Sequence, residues 1–400
     1  MTNKRKIVLA LFMIALVLNP FEAVAAPDTV AESYAVFDLS SGALILDKDS
    51  QKEIFPGTAA HIMTAILAIE RTTLTDTATA SKNVPLAEGT KVYLKQGDKP
   101  TIESLLYALM FHSANDAAVA LAEKVSGSED KFVTLMNEKA KELGAYNTNF
   151  SNARGGYSDK TVTTVEDLAL ITAYALKNPT FKNVVAAATY DWRGVEWQKV
   201  LINPAAEGLE VGGLVGIKTG KFNTSSFYIG LAEKDEQRVL IVVANGKEET
   251  IKTDAKKLFD YAFQNYRSVG IVTAGQVMTT LKLGEDKNVD FVAATSLAIS
   301  TASKETELRI DKQIVLTSAT PPFKKDEVVG QAIIFVNGEE QGRVDLISSE
   351  KVSMRPSVFD IIVHIFAILF ILQVISRNYY RTVNRRKKMS RRKMERQINN

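Results

Sequence analysis

The chain has 400 residues, with 49 Lys and Arg against 46 Asp and Glu, three His and no Cys. The last 24 residues carry a net charge of +9 and the first 25 carry +2, which leaves −8 on the rest of the chain and argues against nucleic-acid binding. Without cysteine there are no disulfides and no thiol chemistry. A histidine-rich metal centre is equally unsupported, so we expect no metal and no cofactor; the scattered histidines are His61, His112 and His364.

Residues 1–25 have the pattern of a secretory signal peptide. Basic residues at 4–6 precede an apolar run from Ile7 to Leu18, and small residues follow at 23–25. We expect cleavage after Ala25, because Pro27 disfavours a cut directly before it. The alternative is a retained amino-terminal anchor.

A predicted β-hairpin over residues 34–46 comes first in the body of the chain, and a mostly apolar helix follows at 56–70. Thr58 and His61 lie three residues apart at the start of this helix, which predicts that they share one face. A hydroxyl and a possible base so placed make a plausible active-site platform. The alternative is a capped core helix with His61 at its edge.

Helices and strands then alternate in a way that predicts an α+β fold. Residues 72–100 are expected to form surface strands and loops. Further helices are predicted at 101–109, 116–125, 131–143, 164–176 and 256–263. Strands are predicted from 215, at 227–232 and at 239–244. One antiparallel sheet with helices packed on it accounts for this order, within a main domain at 28–265.

The character of the sequence changes near Ser268. Short β-like runs alternate with turn residues up to Met354, and Asn337-Gly338 is a hairpin signal, so a small all-β domain is predicted at 268–354. An apolar run at 357–376 predicts a transmembrane helix, and 377–400 predicts a basic cytoplasmic tail. An amphipathic helix lying in the membrane interface is the alternative.

Three short motifs carry the chemistry: Thr58-x-x-His61, Ser113-x-Asn115 and Lys218-Thr219-Gly220. Their order, with spacings of 55 and 105 residues, resembles that of the serine-type D-Ala-D-Ala carboxypeptidases, the low-molecular-mass penicillin-binding proteins. The resemblance extends to the signal peptide, the carboxy-terminal β-domain and a membrane-attaching end, so it covers almost the whole chain.

The resemblance implies a β-lactamase/transpeptidase-like fold for the main domain and a peptidase chemistry. In that family a Ser-x-x-Lys serine attacks the D-Ala-D-Ala amide and the lysine activates it. Ser113 and Asn115 would assist proton transfer and hold the substrate amide. Lys218, Thr219 and Gly220 would bind the terminal carboxylate of a peptidoglycan stem peptide or a β-lactam.

The first motif departs from the family, since Thr58 stands for serine and His61 for lysine. The extra methyl of threonine crowds the attack path, and imidazole is shorter than a lysine side chain, so a misplacement of about 1 Å can cost on the order of 100-fold. Arg154-Gly155-Gly156 is a milder departure, where the family tends to carry His-Gly.

Two functions follow from these motifs. The first is an inactive or very slow pseudoenzyme of the cell envelope that binds the stem peptide or a partner in wall synthesis. The second is an active carboxypeptidase with Thr58 as nucleophile and His61 as base. A third hypothesis makes the basic tail functional, meeting anionic lipid or a cytoplasmic partner. In each, the bulk of the chain is expected outside the cytoplasm, attached to the cell membrane.

Overall fold

The computed structural model describes residues 25–283, 288–318, 320–353, 362 and 365–381. The chain divides into two compact units, the first comprising residues up to 271 together with 297–309 and the second comprising 272–296 and residues from 310 onward. The strands, β1 to β14 in chain order, are Ser33–Asp38, Ala43–Lys48, Thr189–Arg193, Gln198–Ile202, Leu214–Phe222, Ser225–Lys234, Gln237–Gly246, Tyr266–Val272, Val277–Lys282, Asn288–Ala293, Leu297–Ala302, Ile310–Leu316, Val328–Val336 and Glu339–Ser348.

The α-helices within these ranges belong to the first unit, apart from a helical run at 365–381. Labelled α1 to α7, they are His61–Arg71, Ile102–His112, Asn115–Ser126, Glu129–Glu142, Val165–Ala175, Pro179–Ala186 and Ile251–Asn265, with short 3₁₀ helices at Gly57–Ala60 and Val84–Leu86. Thr101, Ser128 and Thr164 cap α2, α4 and α5 through their side chains. The helices predicted at these places are confirmed.

A five-stranded antiparallel sheet forms the centre of the first unit, in the order β2-β1-β7-β6-β5. The predicted hairpin at 34–46 is confirmed as β1 and β2. Strands β6 and β7 are internal, and their middle residues, 227–232 and 239–244, are apolar because both faces of the strands are covered there. Strand β5 lies at the edge of the sheet, with only β6 as a neighbour.

Alternate residues of the central strands enter two hydrophobic clusters on opposite faces of the sheet. Ile229 and Val242 pack with α1 to α6, whereas Tyr228, Ile241 and Val243 pack against α7. Helix α1 is buried from His61 to Ala68, since it lies inside the larger cluster. This arrangement confirms the predicted α+β architecture of one antiparallel sheet with helices packed on it.

Two two-stranded sheets complete the first unit. Strands β3 and β4 pair with each other, and β8 pairs with β11.

The prediction of surface strands in residues 72–100 is wrong. The segment contains only the 3₁₀ helix Val84–Leu86, and an isolated bridge joins Thr77 to Thr101.

The second unit contains an antiparallel sheet in the order β12-β13-β14-β10-β9. Asn337 and Gly338 both have positive φ and join β13 to β14, as the sequence predicted for a hairpin turn. Phe291, Ile334 and Leu346 are among its buried residues. The structure therefore confirms the predicted all-β carboxy-terminal domain.

The two chain ends lie largely outside the described residues. This holds for the predicted signal peptide at 1–25, which is described only at Ala25, and for the basic tail at 377–400 beyond Arg381. Residues 365–381 are helical and exposed. Over the described ranges, no helix combines the length and apolarity that crossing a bilayer requires. The transmembrane helix predicted at 357–376 lies partly outside those ranges.

Candidate active site

Thr58 lies where three chain segments approach one another closely. A Cβ added to Gly220 would lie 2.6 Å from Thr58 Oγ1, and one added to Gly155 would lie 2.1 Å from the carbonyl oxygen of Gly57. Glycine is therefore required at both positions, because any side chain would push the segments apart. Thr58 lies within the 3₁₀ helix that precedes α1, and its side chain caps neither helix. Its side chain is half-buried, and its hydroxyl has no hydrogen-bond partner among the described residues.

His61 is wholly buried and contacts main-chain carbonyl groups through both ring nitrogens. Nε2 lies 2.7 Å from the carbonyl oxygen of Arg154, and Nδ1 lies 3.3 Å from that of Leu109. Burial, followed by the positive charge of Lys218, lowers the pKa of His61 to about 3, so the ring is neutral near pH 7. A neutral imidazole has one N–H, which the shorter contact assigns to Nε2. His61 thus joins α1 to α2 and to the Arg154 segment, and it makes no hydrogen bond to Thr58.

Lys218, on β5, is the central cation of the site and is 1% exposed. Its Nζ donates to the carbonyl oxygens of Leu109 at 3.0 Å and Met110 at 2.8 Å, and it lies 2.7 Å from Ser113 Oγ. The two carbonyl groups are at the carboxyl end of α2, where the helix dipole favours a positive charge. Burial lowers the pKa of Lys218 to about 7. The ammonium form therefore has all three N–H donors in use.

Ser113 and Asn115 lie at the junction of α2 and α3. Ser113 adopts a left-handed conformation, with φ 54° and ψ 39°, directly after the last residue of α2. Asn115 begins α3 and donates from Nδ2 to the carbonyl oxygen of Glu88 at 2.6 Å. Its Oδ1 is buried and has no hydrogen-bond partner within the part of the chain that the structure describes. Asn115 thus offers an unused acceptor at the start of α3.

Thr219 and Gly220 follow Lys218 along the edge strand β5. The Thr219 hydroxyl donates to the carbonyl oxygen of Phe227 at 2.8 Å, across the β5–β6 pair. Because β5 has a neighbour on one side only, its outer edge can accept an extended peptide as an added strand. Gly220 brings this edge against Thr58.

Three aromatic side chains from these segments form a cluster that the sequence analysis missed. The Phe55 ring lies 4.5 Å from that of Phe222 and 5.4 Å from that of Tyr157, and Tyr157 stacks on Phe222 at 5.2 Å. Tyr157 is 64% exposed. No sequence signal connects three aromatics so far apart, although each lies within a few residues of a predicted motif.

The structure thus brings together most of the predicted site residues, but not in the predicted pairs. Ser113 contacts Lys218, Thr58 contacts Gly220 closely, and His61 and Lys218 share the Leu109 carbonyl oxygen. Arg154 was noted in the sequence only as a departure. It supplies the carbonyl that holds His61, and its Nε donates to Glu129 at 3.2 Å. Within the described ranges, no group of three or more His, Cys, Asp or Glu could hold a metal ion.

Comparison with known proteins matches both units to described families. The family described as D-alanyl-D-alanine carboxypeptidase matches residues 21–248, and the penicillin-binding protein 5 carboxy-terminal domain matches residues 266–354. The chain is 25% identical over 320 residues to the D-alanyl-D-alanine carboxypeptidase DacF of Bacillus subtilis, an alignment that covers 77% of this chain and 82% of DacF. It is 30% identical over 253 residues to DacB2 of Mycobacterium tuberculosis, with 62% and 87% coverage.

Among solved structures, penicillin-binding protein 5 of Haemophilus influenzae has a TM-score of 0.71 at 20% identity, with 83% of this chain and all of that chain covered. A point mutant of the K15 DD-transpeptidase of Streptomyces has a TM-score of 0.56 at 26% identity, with 59% and 99% coverage. The fold is therefore that of a penicillin-binding protein, followed by an all-β carboxy-terminal domain.

Proposed function

The chain belongs to the D-alanyl-D-alanine carboxypeptidase family, and from that premise we propose that it binds the D-Ala-D-Ala end of peptidoglycan stem peptides with little or no hydrolysis at Thr58. Members of this family bind such peptides and β-lactams. The observation that carries the proposal is the position of His61, whose two ring nitrogens both face main-chain carbonyl groups. Thr58 consequently has no base in contact with its hydroxyl.

The absence of a base beside the Thr58 hydroxyl bears directly on catalysis. A threonine hydroxyl is a weak nucleophile at its ordinary pKa, and it needs an adjacent group to take its proton as it attacks. His61 is buried, neutral and already hydrogen-bonded, so it cannot supply that group without leaving Arg154. The additional methyl of Thr58 further restricts its rotation.

The peptide-binding half of the site retains the groups that a peptide end requires. The outer edge of β5 offers main-chain groups to an extended peptide, and Lys218 supplies a buried positive charge for a carboxylate. Since the donors of Lys218 are in use, its effect on a carboxylate is exerted through charge. Thr219 must exchange its hydrogen bond to Phe227 for one to the ligand.

Titration of a pentapeptide ending in D-Ala-D-Ala, followed by NMR of the labelled protein and by an assay for free D-alanine, tests this proposal. The matched control is the same peptide ending in L-Ala-L-Ala. We expect saturable binding of the D-form, at least tenfold weaker binding of the L-form and no D-alanine release. Release of D-alanine that is lost in Thr58→Val would instead establish the alternative, a carboxypeptidase acting through Thr58.

We also propose that the protein is exported and attached to the membrane at its carboxyl end. The proposal is supported by the signal-like pattern of residues 1–25 and by the apolar run that precedes the basic tail at 377–400. Fractionation of cells expressing the full chain and a chain ending at 353 tests it. Equal distribution of both chains between membrane and soluble fractions would contradict membrane attachment.

A further inference from the structure

We propose that Ser113 is the hydroxyl that this site can activate, with Lys218 as its base, so that acyl groups are accepted by Ser113 Oγ rather than by Thr58 Oγ1. This inference rests on the proposed function only in using the same site. It concerns the transfer of an acyl group from a β-lactam or another activated acyl donor, whereas the proposed function concerns reversible peptide binding.

The first argument is the contact between the Ser113 hydroxyl and the Lys218 amine. Ser113 Oγ and Lys218 Nζ are 2.7 Å apart, within hydrogen-bond distance. The hydroxyl of Thr58 has no such contact with any described residue, and His61 is held by Arg154. Of the two hydroxyl–nitrogen pairs that the motifs supply, one is therefore assembled and the other is not. A nucleophile and its base in hydrogen-bond contact are the essential arrangement of covalent catalysis.

The hydrogen-bond pattern around Lys218 also suits a neutral amine. A neutral amine has two N–H groups and one lone pair. The carbonyl oxygens of Leu109 and Met110 accept the two N–H groups, and the Ser113 hydroxyl can donate to the lone pair. All three contacts thus survive deprotonation, and only the direction of the Ser113 bond reverses. No carboxylate among the described residues pairs with Lys218, and burial disfavours its charged form.

The backbone at Ser113 supports the same assignment. Its φ of 54° is uncommon for a residue other than glycine, and such conformations persist where the surrounding structure imposes them. The residue follows the last turn of α2, so its side chain leaves the helix and remains partly exposed. Ser113 is therefore accessible to a ligand from one side and to the buried amine from the other.

The reaction balances without any further reagent. Ser113 gives its proton to neutral Lys218 as a bond forms between Oγ and the acyl carbon. The bond from that carbon to the leaving group, the lactam nitrogen of a penicillin or the phenolate oxygen of p-nitrophenyl acetate, then breaks. Lys218 returns the proton to the leaving nitrogen; a phenolate leaves as the anion, and the proton passes to solvent. The product is an ester on Ser113.

Mass spectrometry of the intact chain after incubation with a fluorescent penicillin and, separately, with p-nitrophenyl acetate tests the proposal. Trypsin releases Ser113 in the fragment 96–124 and Thr58 in the fragment 53–71, because Lys99 precedes proline and is not cut. We expect the added mass on Ser113. A label on Thr58, or no label in 96–124 with either probe, would overturn the assignment.

Substitutions of Ser113 and Lys218 test the assignment further. Ser113→Ala should reduce labelling at least tenfold, whereas Ser349→Ala, which removes an exposed serine of the second unit, should not change it. Lys218→Arg keeps the positive charge but cannot accept a proton near pH 7, so it should also reduce labelling at least tenfold. Unchanged labelling in folded Lys218→Arg would contradict the role of the amine.

The pH dependence of the labelling rate tests the role of Lys218 in the unsubstituted protein. The rate of labelling should rise about tenfold from pH 6 to pH 8. The other titratable groups that interact with Lys218 are His61 and His112, and both have lowered pKa values caused mainly by burial. A rate independent of pH would contradict the proposal. Peptide binding is measured separately, so its failure would leave the labelling result standing, and the reverse also holds.

Discussion

Two hydroxyl–nitrogen pairs in this site have opposite outcomes. Thr58 and His61 are three residues apart on one short stretch, yet no hydrogen bond joins the hydroxyl to the imidazole. Ser113 and Lys218 are 105 residues apart, yet Oγ and Nζ are 2.7 Å apart. In the first pair the nitrogen is held by carbonyl groups of other segments. In the second pair the carbonyl groups of Leu109 and Met110 hold the amine beside the hydroxyl. Contact is therefore decided by which main-chain acceptors surround the base, and sequence spacing alone does not establish it.

The largest expected effect comes from rebuilding the first pair. The double substitution Thr58→Ser with His61→Lys removes the methyl group and replaces the imidazole by a longer amine that can reach residue 58. We expect penicillin acylation to increase about 100-fold or more, with the label on residue 58. Stopped-flow labelling and peptide mapping measure this change.

The two single substitutions are the controls for this experiment, and each should gain less than tenfold. A double variant that folds, judged by circular dichroism, and still reacts at the original rate would show that more than the first pair has changed in this site.

Removing the nitrogen of the second pair should destabilise the fold. Lys218→Met keeps an unbranched apolar side chain but deletes the donors to Leu109 and Met110, whose carbonyl oxygens then lie buried without Lys218. We expect a loss of about 2 kcal/mol in the free energy of unfolding at about pH 11, where Lys218 is uncharged in both the folded and the unfolded chain, measured by urea denaturation. A variant as stable as the parent would mean that the buried amine contributes nothing net.

Filling the space between Gly220 and Thr58 should weaken ligand binding. In Gly220→Ala the new Cβ would lie 2.6 Å from Thr58 Oγ1 and 2.8 Å from the Phe227 ring. We expect about tenfold weaker binding of the D-Ala-D-Ala peptide, measured by NMR titration. Gly212→Ala is the matched control, because its Cβ would have no atom within 4 Å. Equal binding by both variants would contradict the close approach of β5 to Thr58.

A further effect concerns pH and His61. The unfolded chain takes up a proton on His61 below about pH 6.5, whereas the folded chain resists protonation until about pH 3. The stability of the native state should therefore fall as the pH decreases from 6.5 towards 3. In His61→Gln this decrease should be smaller, as urea midpoints at pH 7, 5 and 4 would show. An identical pH dependence in His61→Gln and the parent would contradict the burial of a neutral imidazole.

Local signals predicted the individual elements well. The hairpin of β1 and β2, the Thr164 cap of α5, the strand at Lys218 and the Asn337-Gly338 turn each follow from neighbouring residues. Such features depend on backbone geometry within a few residues, which the sequence displays directly.

Features that depend on distant partners could not be predicted. The strand β11 pairs with β8 and joins the first unit, although its sequence resembles that of the β-rich segment around it. The segment 72–100 has strand-like composition but no partner strand. The burial of His61 is decided by Leu109 and Arg154, which approach it only in the folded chain. The motif identified His61 as a site residue, while its hydrogen bonds were visible only in three dimensions.

The isolated charge of Lys218 has a consequence for ligand binding. Among the described residues no carboxylate neutralises this amine, and its pKa lies near 7. A peptide carboxylate that arrives beside it will raise that pKa, so binding near neutral pH should be accompanied by proton uptake from the buffer. The calorimetric heat of binding should then differ between phosphate and Tris, whose ionisation enthalpies differ, and in Lys218→Met that difference should disappear.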